Sequence, residues 1–276
     1  MLLALDIGNS RIKWGLFDGE DMVAVGYFVT RQFLPQDVMA YDFEPSSFPA
    51  LPAGPDELLA HAGAPDPRLL RQVSAIALCS VARAEAETAV LVHLHGLGLP
   101  AHPLWRIQAS ERSLGVRNGY AQPQRLGADR WAALIAARHL VAGTLVVVMA
   151  GTATTVDALT ADGDFLGGYI LPGLRLMPKS LYERTAGIRP SDGHWQPFPK
   201  ATSDAVTSGV LAASAGAVAG MVQRLNQQQP PLVLLSGGNG PALAERLQEL
   251  GLTWRYARDL VLHGIARLYR ARNDIL

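Results

Sequence analysis

The sequence predicts an α/β fold built from two similar halves. A pattern of apolar strand, glycine turn and second strand occurs twice, at 2–17 and again at 145–157. Each copy is followed by segments that alternate between helical and strand periodicity. At 276 residues the chain is long for one core and suits two domains of ordinary size. We therefore expect two domains, at 1–117 and 118–276.

The first copy predicts a hairpin with a phosphate-binding turn. Every second residue from Arg11 to Phe17 is apolar, which is the period of a strand. The glycine turn thus joins two strands, unlike Walker and Rossmann loops, which open a helix. We expect Gly8 to adopt backbone angles that other residues avoid and to let a phosphate approach, while Lys13 adds a cation. An ordinary β-turn with an exposed lysine is the alternative interpretation.

The second copy repeats this pattern at a constant offset. Gly151 stands where the first copy has Gly8, and Thr152 stands where it has Asn9. A β-branched strand follows the turn. Two phosphate-turn hairpins imply two half-domains that face one cleft.

The remaining elements follow from periodicity and turn residues. After the turn at Asp18 and Gly19 we expect a third strand, a proline- and glycine-rich surface loop at 35–56 and a helix from Asp56 to His61. The strands are predicted at 2–7, 11–17, 22–29, 73–81, 103–107, 145–149, 153–160, 165–170 and 231–236. The further helices are predicted at 82–95, from 127, at 202–226, at 241–250 and from 259.

Composition excludes some classes of protein. With 24 basic and 24 acidic residues and a pI near 7.1, we expect no nucleic-acid or membrane partner. The one cysteine, Cys79, lies in an apolar run that predicts a buried strand, so we expect no disulfide and a cytoplasmic location. The uncharged segment Ala205 to Val222 approaches membrane-spanning length. Its small residues instead predict a buried helix, which could pack closely at a subunit interface.

Six motifs occur in order along nearly the whole chain. They are DIGNSRIKWG at the start, GADRWAALIAA at 127–137, AGTATTVDAL at 150–159, FLGGYILPGL at 165–174, SLYERTAGI at 180–188 and LSGGNG at 235–240. Together they resemble the type III pantothenate kinase family, within the superfamily of acetate and sugar kinases, Hsp70 and actin. The resemblance implies two ribonuclease H-like half-domains with a cleft between them. It also implies ATP-dependent phosphorylation of pantothenate to 4′-phosphopantothenate, the first step towards coenzyme A, and a homodimer.

The resemblance also implies roles for individual residues. Asp129 would be the general base, although a carboxylate in a first helical turn also suits the helix dipole. Asp6 would hold magnesium through water, and Gly237 and Gly238 would lie against adenosine. The implied ATP-binding residues are Asp6, Ile7, Gly8, Asn9, Ser10, Arg11, Ile12, Lys13 and Thr152. The implied pantothenate-binding residues are Tyr120, Gly127, Ala128, Asp129, Arg130 and Thr185.

One position departs from the family pattern. Met149 stands where the family usually has an aspartate that binds potassium or ammonium, and a thioether is a poor ligand for a hard cation. Either the cation is held otherwise, for example by main-chain carbonyls, or this protein has dispensed with it. Two other functions stay open at this point: a non-catalytic accessory factor for transcription with the same fold, and a kinase of another small hydroxy acid or sugar.

Overall fold

The computed structural model describes residues 1–34, 61–189, 191–225 and 230–273. The predicted loop at 35–56 and all but the last residue of the predicted helix at 56–61 lie outside the described residues. The strands are β1 (Leu2–Ile7), β2 (Arg11–Asp18), β3 (Asp21–Val29), β4 (His61–Ala62), β5 (Ala75–Ser80), β6 (Leu104–Arg106), β7 (Arg112–Ser113), β8 (Val116–Asn118), β9 (Leu145–Ala150), β10 (Ala153–Leu159), β11 (Asp164–Pro172), β12 (Leu232–Ser236) and β13 (Trp254–Tyr256). The helices are α1 (Pro67–Leu70), α2 (Ala84–Gly96), α3 (Ala128–Leu140), α4 (Leu176–Arg184), α5 (Thr202–Leu225), α6 (Gly240–Glu249) and α7 (Leu260–Arg270).

The described residues form two compact units. The first unit comprises 1–34, 61–141 and 259–273, and the second comprises the described part of 142–258. The expected boundary at 117 falls within the first unit, because α3 packs on α7 and α7 packs on β1. A Cβ atom at Gly264 would overlap the carbonyl oxygen of Ala132, so only glycine permits this close helix crossing.

The first unit is built on a six-stranded sheet in the order β4-β3-β2-β1-β5-β6. Strands β1, β2 and β3 form an antiparallel meander, while β5 and β6 extend the sheet in parallel. Alternate residues of β1 pack into a core that includes residues of α2. The three antiparallel strands are followed by β5, α2 and β6, and this confirms the predicted alternation of strands and helices.

The second unit repeats this arrangement. Its strands run in the order β13-β12-β9-β10-β11. Strands β9, β10 and β11 are antiparallel neighbours, and β12 and β13 add in parallel. The two units therefore share one topology, which confirms the α/β fold of two similar halves that the repeated hairpin predicted.

Helix α5 is the long helix of small residues. It packs on β9, β10 and α6, and one face is buried, as predicted. By length and composition it could cross a membrane, yet half of its most apolar window is buried inside the structure. Gly209, Ala213 and Gly216 are exposed, so the close contact expected at these residues is not made by the described part of the chain. Their place in a subunit interface stays a prediction.

Candidate active site

The turn between β1 and β2 is held by main-chain and side-chain hydrogen bonds. The Gly8 N–H donates to the Arg11 carbonyl at 3.0 Å. Thr30 engages two carbonyls of the turn: its hydroxyl donates to Gly8 at 2.7 Å and its N–H donates to Ser10 at 3.1 Å. The Asn9 amide donates to the carbonyl of Val81 at 3.3 Å. These bonds engage the Gly8 and Ser10 carbonyls and the Asn9 side-chain amide, and they hold the shape of the turn.

The expectation of a positive φ at Gly8 is wrong, because Gly8 is not among the described glycines that adopt one. The lack of space around Gly8, and not its φ, is what requires a glycine at this position. A Cβ atom here would lie 3.0 Å from the carbonyl oxygen of Arg11, the same oxygen that closes the turn. A larger side chain would force the two strands apart at their tip.

Three side chains form a row at the carboxyl end of β1. Lys13 on β2 and Cys79 on β5 are the direct neighbours of Asp6, so all three point to one face of the sheet. The Cys79 thiol donates to Asp6 Oδ1 at 3.5 Å. Burial, and next the negative charge of Asp129, raise the pKa of Asp6 to about 6, against the opposing effects of Lys13 and the thiol. Burial also raises the pKa of the Cys79 thiol, which keeps it protonated.

The ammonium group of Lys13 binds a carboxylate far along the chain. Its Nζ lies 3.1 Å from Oδ1 of Asp259, and both side chains are largely buried, at 30% and 13% exposure. Asp259 immediately precedes α7, and α7 packs on β1. The first unit thus brings four charged groups into one electrostatic neighbourhood: Asp6, Lys13, Asp129 and Asp259.

Helix α3 begins at the predicted substrate segment. Asp129 Oδ1 accepts a hydrogen bond from the Arg130 main-chain N–H at 2.8 Å, as a carboxylate at a helix start often does. Gly127 leaves room for that carboxylate, because a Cβ there would lie 2.6 Å from Asp129 Oδ1. The apolar residues predicted to pack inward are fully buried: Trp131, Leu134 and Ile135.

Arg130 is a buried cation. Only 4% of the residue is exposed, and its Nη1 donates to the Tyr120 hydroxyl at 2.7 Å. Tyr120 is itself anchored, because its main-chain N–H donates to Oδ1 of Asn118 at 3.1 Å. The structure therefore brings together two of the residues that the resemblance assigned to pantothenate, Tyr120 and Arg130, which lie ten positions apart.

The turn between β9 and β10 has the same plan as the first. The Gly151 N–H donates to the carbonyl of Ala153 at 3.0 Å, and its own carbonyl accepts from the Asn239 amide at 3.0 Å. The carbonyl of Thr152 accepts from the Gly173 N–H at 2.9 Å. A Cβ at Gly173 would overlap both turn carbonyls, so this packing also depends on glycine.

A second row crosses the sheet of the second unit at the position equivalent to Asp6. Met149 on β9 has Thr155 on β10 and Ser236 on β12 as its direct neighbours. The hydroxyl oxygens of Thr155 and Ser236 are buried and have no hydrogen-bond partner among the described residues. This row offers a thioether and two hydroxyls and no carboxylate, which does not fit a strong site for a hard cation.

The remaining predicted residues lie in the second unit. Gly237 has a φ of +93°, and its carbonyl accepts from the Tyr256 hydroxyl at 3.0 Å. Gly238 is exposed in the same loop. Thr185 is exposed at the end of α4, where its hydroxyl donates to the carbonyl of Leu181 at 2.8 Å.

Three contacts were missed by the sequence reasoning: those made by Thr30, Asn239 and Asp259. Asp259 had a local signal, since an aspartate before an apolar helix is a common N-cap. That signal predicts a bond to the helix start, whereas the structure directs the side chain to Lys13. Thr30 and Asn239 had no local signal, because each acts on a turn far away in sequence.

Comparisons with known proteins identify the family of this chain. A family model described as type III pantothenate kinase matches residues 2–224. A relative of that name from Azoarcus sp. (strain BH72) is 40% identical over 266 residues, 96% of this chain and 89% of the relative. Another from Aromatoleum aromaticum is 39% identical over 270 residues, 98% of each chain.

Two solved structures share the fold at low identity. A Campylobacter jejuni protein named for the Baf family of transcriptional activators has a TM-score of 0.54 at 19% identity, covering 99% of this chain and all of that one. A Sinorhizobium meliloti protein named as a 2-dehydro-3-deoxygalactonokinase has a TM-score of 0.54 at 15% identity, covering 99% of each chain. These likenesses support the predicted fold class, and the match to the family model and the curated relatives shows that the chain belongs to the type III pantothenate kinase family.

Proposed function

We propose that this protein transfers the γ-phosphoryl group of ATP to the primary hydroxyl of pantothenate, forming 4′-phosphopantothenate, the first step towards coenzyme A. The observation that carries the proposal is the family match over 2–224, within which Asp6, Lys13, Asp129 and Arg130 are all present. Phosphoryl transfer asks a protein mainly for positioning and charge neutralisation. These four residues belong to the first unit and can supply both the positioning and the charge neutralisation.

The two glycine turns are proposed to bind the phosphates. Carbonyl oxygens repel a phosphate and N–H groups attract it. In each turn two carbonyls accept hydrogen bonds from the protein: those of Gly8 and Ser10 in the first turn, and those of Gly151 and Thr152 in the second. Engaging these carbonyls removes the groups that would oppose an anion. Lys13 adds positive charge at the first turn.

Asp129 and Arg130 are proposed to act on pantothenate. Asp129 would take the proton from the attacking hydroxyl, a role that suits a carboxylate at physiological pH. The planar guanidinium of Arg130 can hold the pantothenate carboxylate with paired hydrogen bonds, and its bond to Tyr120 orients it. Because Arg130 is almost fully buried, its charge is screened little by water and attracts a carboxylate strongly.

Asp6 is proposed to hold magnesium through water. No group of three or more metal-binding side chains occurs among the described residues, so a cage made by protein alone is not available there. One carboxylate in a negatively charged neighbourhood fits magnesium, which keeps several waters and binds phosphate oxygens. When bound, the ion would neutralise phosphate charge. The row at Met149 does not fit potassium or ammonium, and no step is assigned to either.

We also propose a cytoplasmic homodimer without nucleic-acid or membrane partners. The exposed small residues of α5 would permit close packing of a second copy. The equal numbers of basic and acidic residues give the chain no excess of positive charge, which a nucleic-acid partner would favour. The free, buried Cys79 suits a reducing compartment.

The experiment is an assay of the purified protein with magnesium, ATP and a panel of hydroxylated acids and sugars. Turnover of pantothenate, with the other acceptors much slower, supports the proposal. Faster turnover of another acceptor would support the kinase alternative instead. No turnover of any acceptor, together with intact ATP binding, would favour the non-catalytic accessory role, for which a base beside the phosphate turn has no use.

A further inference from the structure

Asp259 occupies an unfavourable backbone conformation. Its φ of 45° and ψ of 37° lie in the left-handed region, which side chains other than glycine rarely adopt. Among the described residues Leu114 is the other non-glycine residue with a positive φ. Such conformations persist where the surroundings determine them, and they cluster at functional positions.

Asp259 also gives up the usual role of its position. An aspartate at a helix N-cap normally accepts a hydrogen bond from the first turn of the helix. Here the side chain makes no capping bond, although the Asp259 carbonyl does begin α7 by accepting from the His263 N–H at 3.1 Å. The carboxylate instead binds Lys13 at 3.1 Å. Asp259 thus has a left-handed backbone and makes no capping bond, and its side chain makes one contact, with Lys13, which is 246 residues away in sequence.

The helix behind Asp259 is firmly placed. Leu262 and Ile265 are fully buried, and the contact between Gly264 and Ala132 allows α7 no closer approach to α3. The first residue before the helix is therefore held at a set position relative to β1 and β2. A flexible lysine side chain gains a defined position when its partner is fixed in this way.

Lys13 forms its ion pair with a carboxylate distant in sequence and not with the neighbouring one. Asp6 is its direct neighbour across the hairpin, yet among the described residues the ion pair of Lys13 is with Asp259. Without Asp259, the nearest strong attraction for the ammonium group would be Asp6 on the adjacent strand. An ammonium group drawn onto Asp6 would compete with the magnesium role proposed for that carboxylate.

The geometry points to Asp259 as a positioning residue of the kinase: it holds the Lys13 ammonium group beside the first phosphate turn and out of an ion pair with Asp6. This inference rests on the proposed function for the phosphate role of Lys13. The nucleotide, and not pantothenate, is the ligand whose binding should depend on Asp259.

Two substitutions separate this role from a purely structural one. Asp259→Asn removes the charge and keeps a residue that tolerates the left-handed region, while Asp259→Gly removes the ion pair and relieves the strain. Both should raise the KM for ATP by about threefold to tenfold and leave the KM for pantothenate within about twofold. Asp259→Gly should also melt no lower than Asp259→Asn, because both variants lose the ion pair and only glycine relieves the strain. Leu114→Gly is the matched control, since it relieves the other positive φ and should leave both KM values unchanged.

A double-mutant cycle with Lys13→Met tests whether Asp259 acts on ATP binding through Lys13. If Asp259 acts through Lys13, then Asp259→Asn should change the KM for ATP by less than about twofold when Lys13 is already Met. An equal loss with and without Lys13 would overturn the inference. So would a lower KM for ATP in Asp259→Asn, which would show that Asp259 competes with the phosphates for Lys13.

ATP titration of the same variants by calorimetry keeps this test separate from the choice of acceptor. If the unmodified protein binds ATP and does not phosphorylate pantothenate, the proposed substrate is wrong, and the dissociation constants still test Asp259. Unchanged ATP affinity in Asp259→Asn, with a lowered melting temperature, would assign Asp259 to stability alone and overturn the inference.

Discussion

Arg130 donates a hydrogen bond from Nη1 to the hydroxyl oxygen of Tyr120 at 2.7 Å, and the guanidinium carbon lies 5.6 Å from the centre of the tyrosine ring. The two residues come from different elements: Arg130 from the first turn of α3 and Tyr120 from the loop after β8. The bond links two residues to which the family resemblance gives the same ligand.

Tyr120→Phe should weaken pantothenate binding selectively. The variant keeps the ring beside the guanidinium and removes the hydroxyl that orients it, and a hydrogen bond to a charged group contributes about 1.5–3 kcal/mol. We expect the KM for pantothenate to rise about tenfold or more, with the KM for ATP unchanged. Tyr269→Phe is the control, because its ring also faces an arginine, with Arg272 3.6 Å from the ring centre. Equal KM values for pantothenate in both variants would contradict the assignment.

Asp129→Asn should abolish most turnover and keep the fold. The amide oxygen can still accept from the Arg130 N–H, whereas the base is lost, which typically costs about 10²–10⁴ in rate. ATP affinity and melting temperature should stay near those of the unmodified protein. Asp66→Asn is the control, since Asp66 also accepts a main-chain N–H at a helix start. A kcat above about half of the unmodified value would leave Asp129 with the helix-dipole role alone.

Gly8→Val should damage nucleotide use more than pantothenate binding. The new side chain would begin 3.0 Å from the Arg11 carbonyl oxygen and would occupy space at the turn proposed for phosphate. We expect titrations of the two ligands to show the larger loss for ATP. Gly96→Val, where a Cβ meets nothing within 4 Å, is the control for adding a branched side chain at a glycine. Equal losses for both ligands, or none, would mean that the turn is only structural.

Asp6→Asn should stabilise the metal-free protein in a pH-dependent way. The folded-state pKa of Asp6, about 6, lies above its ordinary value of 3.8, so the folded protein binds this proton more tightly than the unfolded chain does. The contribution of Asp6 to stability is therefore full below pH 4 and is lost as the pH rises through 6. In EDTA, we expect the variant to gain about 3 kcal/mol over the unmodified protein at pH 8 and little at pH 4. A difference that does not change between these pH values would contradict the burial of this charge.

Met149→Asp should create a dependence on potassium. The unmodified protein should respond weakly when sodium replaces potassium, because the row of Thr155, Met149 and Ser236 has no carboxylate. The new carboxylate would lie half-buried beside two buried hydroxyls, so the variant should melt lower in potassium-free buffer than in potassium. Initial rates and melting temperatures in potassium, ammonium and sodium chloride at equal ionic strength measure both effects. Met149→Leu is the control.

Strong potassium activation of the unmodified protein would contradict the interpretation that Met149 marks a lost cation site. Main-chain carbonyls would then be the ligands to consider. The same salt series on Met149→Leu would decide whether the thioether contributes, because leucine keeps the volume and removes the sulfur.

The local pattern of the chain predicted most elements correctly. Both hairpins, the alternation that follows them and the buried face of α3 were read from period and turn residues, because these depend on neighbours two to four positions apart. Helices α1 and α4, strands β4 and β13 and the β7–β8 hairpin were missed. Except for α4, these elements have two to four residues and are too short to show a period. Helix α4 buries only Pro178, so it has no buried apolar face that a period could reveal.

The sequence by itself determined the repeated α/β plan, the two glycine turns and the residues that resemble a pantothenate kinase. Only the tertiary structure decided that α3 and α7 belong to the first unit, that Lys13 pairs with Asp259, and that Thr155 and Ser236 flank Met149. Periodicity shows which side of an element is apolar. It does not show which distant element covers that side. Contacts between residues 246 positions apart are set by packing of the whole unit, so they appear only when the chain is folded.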